Sequence, residues 1–468
     1  MSVSNIGNPG DFTPVYNPVV FYFDSTNKNQ LGFRYVVDVY YAGTATKIAE
    51  FRVAPRPTDG YGYIDLSKIL SDLTTYDFVP TNTTTLAQPN AQIRYDLKIG
   101  EEYVINYNIL SFTNVSSNVR VTTAANTFVV GDQVVINDPL LTGLFTVITD
   151  TSTTQITVDA PWNASYSGAT TGTISYADNR KTITRDLLTY SNYTAYNAAF
   201  SFKDFDSYLS TDYKLLTALL NASNLMTDMP TTFYVYETQD IWVNYVPFFS
   251  TDATYMLFEN SNGDVFTKTI TDATTAIKQC SVGPNNVGAL TLVSGTPGLI
   301  KSDTEYYVFR VINSLGTPLS IKYNVFILRD CKIEDYEIVF LDRKGSFGSF
   351  AFPLRSKQSN KSDVTTFYNQ IGTNSGGKYD YNTYDQWSTT TNVNYESIIE
   401  LTTNWFKSDA QLTYYDQLIS SPYLWIKIDG VYFQCEIVDR TNEINKLKNK
   451  KLQLKTLKVR LINETINI

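Results

Sequence analysis

Histidine occurs nowhere in the 468 residues. Its absence removes the commonest general base, the commonest zinc ligand and every Ser-His-Asp or Cys-His arrangement. Cysteine is nearly as scarce. Cys280, Cys331 and Cys435 are far apart, odd in number and form no CxxC pair. They support neither a disulfide framework nor a metal or redox centre, and each reads as a small buried hydrophobe. No apolar run approaches the roughly 18 residues of a membrane span. The opening MSVSNIGNPG has neither a basic end nor an apolar core, so the expectation is a chain made in a cytoplasm without a visible export signal. Charge is thin as well, at 18% of residues with a net −9. No global basic field exists to neutralise phosphates, which argues against nucleic acid as the main partner.

What is present is tyrosine, 35 of them, with threonine, serine and asparagine filling much of the remainder. β-branched residues and tyrosine suit a pleated, half-buried surface. The length allows three or four cores. The fold class expected is mainly all-β: several β-sandwich modules in tandem, a small inserted β-barrel-like module and few short helices. The pivotal stretch is Tyr336 to Pro353, YEIVFLDRKGSFGSFAFP. Tyr336, Ile338 and Phe340 alternate with Glu337, Val339 and Leu341. The chain then turns through Asp342, Arg343, Lys344 and Gly345 and leaves through Phe347, Phe350 and Phe352, a hairpin with aromatics around a glycine-dependent turn.

In chain order, residues 1–110 read as an N-terminal β-sandwich module that continues after an insertion to about 203. GFRYVVDVYY supplies one strand, Asp65 and Ser67 cap a short helix through Asp72, and Gly100-Glu101-Glu102 reads as a turn between two strands. Residues 111–178 read as the inserted small β-module. Residues 204–229 read as a linker helix, with Leu209, Tyr213, Leu216, Leu219 and Leu220 on one stripe. Residues 230–330 read as a second, seven-stranded sandwich containing an Asn262-Gly263 hairpin turn. Residues 331–468 read as a C-terminal β-module with a polar arm at 356–390, a helix from Ser408 to Leu418 and a hairpin about Asp429-Gly430.

Several constellations bear on chemistry. Two carboxylates suffice for a glycosidase, but Asp38 with Asp65 has no distinguishing context, and the adjacent Glu334 and Asp335 point to opposite faces of a strand. Glu259, Asn260, Asn262 and Asp264 invite calcium, yet the loop lacks the length and terminal glutamate of an EF-hand, and turn chemistry is preferred. Trp162 and Tyr166 offer sugar stacking, with a loop anchor as the simpler reading. Lys446, Lys448, Lys450, Lys451, Lys455 and Lys458 form a local basic run, suited either to an acidic surface or to guarding an edge strand. GxSxG, HExxH and the P-loop are missing, since GSFGSF lacks the lysine. No catalytic, cofactor-binding or metal residue is assigned, no cofactor is expected, and the chain is read as not an enzyme.

Lined up, the pieces resemble a known group. NPVVFYF, GFRYVVDVYYAGT and DGYGYIDLSKIL look like the N-terminal module of virion proteins from tailed bacteriophages, especially those infecting Bacteroidetes. GDQVVINDPLLTGLFTVITDTSTTQITV resembles the small β-module spliced into them. YEIVFLDRKGSFGSFAF is similar to their recurring hairpin, with the glycine pair here split as Gly345 and Gly348, and SSPYLWIKIDGVYFQCEIVD resembles their C-terminal module. The resemblance implies a structural virion subunit in the tail, baseplate or fibre-attachment region. It would be made in the cytoplasm of the host bacterium and would assemble as a ring or trimer with copies of itself and with other virion proteins. The alternative is a carbohydrate-binding adhesin for host surface glycans.

Overall fold

The computed structural model describes residues 2–80, 85–178, 181–215, 223–247, 254–270, 276–329, 336–354, 356–441 and 453–462. Strands dominate, as the composition requires. The chain divides into two compact units, one built from Met1–Asp72 with Ile93–Ala195, the other from Leu73–Gln92 with Tyr196–Ile468.

In the first unit, a three-stranded sheet of Val3–Gly7, Val20–Ser25 and Gly62–Asp65 shares a core with a five-stranded sheet. The latter runs in the order Phe12–Pro14, Lys181–Tyr196, Gln92–Val104, Arg34–Tyr41, Lys47–Val53. Period-2 alternation puts Phe21 and Phe23 inward from one sheet and Tyr35, Val37, Leu97 and Ile99 from the other. The turn expected at Gly100-Glu101-Glu102 does not form. A single strand, Gln92–Val104, passes straight through it. Glycine is required there for another reason: a Cβ would lie 2.0 Å from the carbonyl oxygen of Thr184 on the adjoining strand. The helix spans Ser67–Ser71, and Asp65 Oδ1 receives the N–H of Ser67 at 2.9 Å just ahead of it.

The insertion is a closed barrel. Asn106–Val115, Asn118–Thr123, Gln155–Pro161, Thr142–Ser152, Gln133–Asn137 and Thr173–Tyr176 pair in turn, and the last returns to the first through Thr173 and Asn108. Closure removes free edges. Its interior of Ile109, Phe112, Val121, Val134, Ile156 and Ile174 is a cluster separate from the sandwich core.

In the second unit, the border expected at 330 runs through one continuous core. A six-stranded sheet is built from Thr232–Tyr236, Tyr323–Leu328, Tyr306–Asn313, Thr254–Asn260, Val265–Thr269 and Thr291–Ser294. One strand of the expected seven-stranded sandwich, Trp242–Tyr245, together with Lys278–Ser281, which is not among the expected strands, instead extends the Tyr336–Phe352 hairpin into a ten-stranded sheet. Phe258 and Phe309 therefore share a cluster with Phe340, Phe350 and Leu424. The helix Asp409–Ser420, capped by Ser408 Oγ on the N–H of Gln411 at 3.2 Å, seals this core with Leu412, Tyr414, Tyr415 and Leu418.

The linker helix is a correction. Among the described residues of this stretch, only Phe202–Asp206 is α-helical, followed by a 3-10 turn at Ser210–Tyr213, and Leu209 is 60% exposed. The aromatic side chains divert the chain: Tyr208 stacks on Phe205 at 5.8 Å and on Tyr213 at 5.7 Å. Leu216, Leu219 and Leu220 lie outside the described residues, as do Glu334, Asp335, Cys331 and the four lysines from Lys446 to Lys451.

Candidate interaction surfaces

The carboxylate pair Asp38 and Asp65 is not brought together as a site. The two sit in different sheets of the first unit. Asp38 is buried and ion-paired to Lys47 at 2.9 Å and to Arg185, while Asp65 caps the N–H groups of Val19 and Ser67. The Asn262-Gly263 loop holds its own ammonium. Lys301 pairs with Asp264, Asn260 Nδ2 donates to the same carboxylate at 2.9 Å, and Thr296 N–H adds a third donor at 2.7 Å. Lys301 first, then these donors, lower the Asp264 carboxyl to about 2. Its oxygens are already occupied by protein donors, which is the turn chemistry the sequence indicates. Trp162 and Tyr166 meet edge to face at 6.1 Å and pack on the barrel core, an anchor for their loop. Lys458 is 3.7 Å from Glu400, and its strand, Thr456–Leu461, lies between two others rather than at an edge. Cys280 and Cys435 are buried thiols, and burial pushes Cys435 up to about 12.

Two acidic pairs in the second unit, each with at least one buried carboxyl, escape sequence reasoning because their members lie far apart in the chain. Glu337, on the Tyr336–Phe352 hairpin, accepts the N–H of Asp240 at 2.7 Å. Lys427 Nζ bridges the two side chains, 2.6 Å from Asp240 and 3.2 Å from Glu337, and the Tyr432 hydroxyl donates to Asp240. At the turn of the same hairpin, Asp342 receives Thr227 Oγ1 at 2.8 Å and the N–H groups of Asp228, Lys344 and Ser346. Lys344 pairs with Asp228 at 2.9 Å and lies over the rings of Phe200 and Tyr213. Burial, then the neighbouring Asp240, raises Glu337 to about 7; burial, then Asp228, does the same to Asp342. Each pair has its counter-cation in place and ties distant segments to the hairpin.

The same hairpin receives the segment Leu73–Gln92. Phe78 stacks on Trp425 at 4.1 Å and meets Trp242, Phe347 and Tyr432, while Leu86–Ala87 pairs with Lys278–Ser281 as the last strand of the ten-stranded sheet. Gln88 Nε2 reaches Gln279 Oε1 at 3.3 Å.

At the opposite edge stands the 356–390 arm, a regular ribbon. Ser356–Tyr368 and Ser388–Thr402 pair from Ser356↔Leu401 to Tyr368↔Ser388, with one bulge at Thr391 where the register shifts between Thr365 and Thr366. Among the described residues only Ile398–Thr402 also pair with Thr456–Leu461, and the rest of the ribbon pairs as two strands extending about 30 Å at 3.4 Å per residue. Gly376 and Gly377, both in the left-handed region, turn a small hairpin at its tip. Tyr368 is 85% and Tyr384 83% exposed there, with Phe367, Tyr379, Tyr381 and Trp387 half-exposed or more. Ser356–Tyr368 is the outermost strand of the sheet.

No family description matches the chain, and none of the curated proteins matches it. Among solved structures it is similar to a Phage phi92 endosialidase, at 11% identity over 98% of this chain and 68% of that one, with a TM-score of 0.14. Domains 1–6 of the surface layer protein SbsC match at 9% identity over 91% of this chain and 64% of that one, with a TM-score of 0.15. TM-scores this low carry no weight for fold or function. The narrower likeness to phages of Bacteroidetes has no sequence-level support among these matches. Among the described residues no helix is long and apolar enough to cross a membrane.

Proposed function

We propose that this chain is a non-enzymatic structural subunit of a tailed-phage virion, in the tail, baseplate or fibre-attachment region, and that the 356–402 ribbon is its assembly arm. The observation that carries the reading is the ribbon itself. A two-stranded hairpin with side chains exposed along both faces is marginal in water, and three strands or a covering surface are needed for independent stability. Among the described residues no strand pairs with its outer edge, which offers backbone groups to a further strand, and its tip offers tyrosines and a tryptophan of the kind enriched at the centres of interfaces. A second copy of the chain supplies such a surface at every step of a closed ring or trimer.

The test replaces residues 361–391 by a Gly-Gly turn and compares both proteins by sedimentation over a concentration series and by co-assembly with virion partners. The expected result is oligomers or incorporation for the whole chain, and a monomer of unchanged unfolding midpoint for the variant. Equal assembly of the two, or no assembly of the whole chain under any of these conditions, overturns the role.

A further inference from the structure

Glu337, Lys427 and Tyr432 stand side by side on one face of the ten-stranded sheet. Glu337 is the cross-strand partner of Lys427, and Lys427 that of Tyr432, so the pleat aims all three side chains the same way. Asp240, in the segment entering Trp242–Tyr245, completes the group from outside these strands. Its Oδ2 lies 2.6 Å from Lys427 Nζ and also accepts from the Tyr432 hydroxyl, while its Oδ1 accepts from Asn285 Nδ2 at 2.8 Å. Glu337 Oε2 is 3.2 Å from the same Nζ. Side-chain exposure is 17% for Lys427 and 5% for each acid. The ammonium lies 5.5 Å from the centre of the Tyr432 ring, which Phe78 meets edge to face.

Burying an ion pair forfeits hydration that the mutual attraction returns only in part. One route removes both charges. An ammonium and a carboxylate in contact condense to an amide and a water when a neighbouring group moves the proton and bulk water is kept away. The contact supplies proximity, worth an effective concentration of about 10⁵ M or more in well-oriented intramolecular reactions. Glu337 titrates at about 7, held up by burial and then by Asp240, so at neutral pH it both accepts and returns a proton. The other acidic pair differs: the Asp342 carboxyl beside Lys344 and Asp228 is taken up by Thr227 Oγ1 and by the N–H groups of Asp228, Lys344 and Ser346.

We propose that Lys427 Nζ and Asp240 Cγ join in an intramolecular amide cross-link, with Glu337 as the proton-transfer group. The amine, having passed a proton to the acids, attacks Cγ and the N–C bond forms. Charge gathering on Oδ1 is met by Asn285 Nδ2. The C–Oδ2 bond breaks and that oxygen leaves as water with two of the three ammonium protons. The third stays on the amide nitrogen, and no oxidant, reductant or cofactor is consumed. The bond spans 187 residues of chain and ties the segment entering Trp242–Tyr245 to the strand Leu424–Ile428. A closure this long strongly restricts the unfolded chain. The cross-link is independent of the assembly reading, because these residues lie outside 361–391 and the arm-deletion variant retains them.

The test is intact-mass spectrometry of the purified whole chain, incubated at neutral pH to constant mass, followed by peptide mapping. The expected mass is one water below that of the sequence, with the peptides containing Asp240 and Lys427 recovered as one branched species. Lys427→Arg and Asp240→Ala should keep the full mass. Glu337→Gln leaves both reacting groups in place and should slow the loss of water by about a hundredfold or more. The branched peptide is read on the parent alone, so the test holds even if a variant fails to fold. Full mass in the parent, a water loss that maps to any single unbranched peptide, or an undiminished loss in Lys427→Arg overturns the cross-link. An unchanged rate in Glu337→Gln overturns the part given to Glu337.

Discussion

The backbone N–H of Asp240 donates to Oε1 of Glu337 at 2.7 Å across 97 residues of chain. This bond fixes the segment entering Trp242–Tyr245 against the hairpin that organises the ten-stranded sheet. It also buries a carboxyl beside a second one, with Lys427 as the shared counter-ion.

That arrangement sets a pH dependence. Glu337 and Asp342 both titrate near 7 in the folded chain, well above the ordinary carboxyl values near 4. Between about pH 4 and pH 7 the folded state therefore binds more protons than the unfolded chain, and stability falls as pH rises through that window. The second unit is expected to unfold at higher urea near pH 5 than near pH 8, by on the order of 2 kcal/mol. Glu337→Gln should flatten part of that slope. Urea titrations at several pH values check both, and a slope of the opposite sign would show that Glu337 is ionised in the fold throughout.

Gly348 lies in the strand Phe347–Phe352, and a Cβ there would stand 1.9 Å from the Tyr414 hydroxyl and 3.2 Å from the Phe340 ring. Tyr414 is buried among Phe233, Phe340 and Phe350 and cannot swing aside. Gly348→Ala is expected to lose about 1–3 kcal/mol through overpacking, read by chemical unfolding. An unchanged midpoint would mean the helix Asp409–Ser420 shifts freely on the sheet.

Phe78→Ala tests the hold on the Leu73–Gln92 segment. The ring is clasped by Trp242, Phe347, Trp425 and Tyr432, so removing it should cost about 3 kcal/mol. It should also shift tryptophan emission before global unfolding begins. Wild-type emission and stability in this variant would show that the strand pairing of Leu86–Ala87 suffices.

The barrel should be removable. Asn106 and Ser175 are paired neighbours on its first and last strands, so the chain enters and leaves within about 5 Å. Replacing residues 106–177 by a short Gly-Ser linker is expected to leave the sandwich cluster of Phe21, Tyr35 and Leu97 folded and cooperative. Cutting at 111, the boundary the sequence suggests, would divide the strand Asn106–Val115. Insoluble or non-cooperative protein from the 106–177 replacement would show that the two cores depend on each other.

Hydrogen exchange distinguishes the arm from its base. In the isolated chain, amides of 360–390 should exchange far faster than those of Phe347–Phe352, and assembly should protect the ribbon. Equal protection of the ribbon in a monodisperse monomer would mark it as self-sufficient structure.

Side-chain pattern alone determined the mainly all-β class, the Tyr336–Phe352 hairpin, the helix Asp409–Ser420 and the small β-module inserted in the first unit, because period-2 alternation, an N-cap serine and glycine turns are local signals. At Asn262-Gly263 the short spacing favours a turn over a calcium loop, and the structure shows Asp264 accepting from Lys301, Asn260 and Thr296. Gly100 was misread because the same residue serves a turn or a close strand approach, and only the position of Thr184 decides between them. At the described start of the helical stripe, Leu209 and Tyr213 lie outside any α-helix, because Phe205, Tyr208 and Tyr213 pack ring on ring, a contact helix spacing does not contain. The lending of Trp242–Tyr245 and Lys278–Ser281 to the C-terminal sheet, the capture of Phe78 and the acidic pairs about Glu337 and Asp342 were decided by tertiary structure alone. Each joins residues from separated segments, and strand-to-strand pairing and burial depend on which surfaces meet, a property no local window of sequence contains.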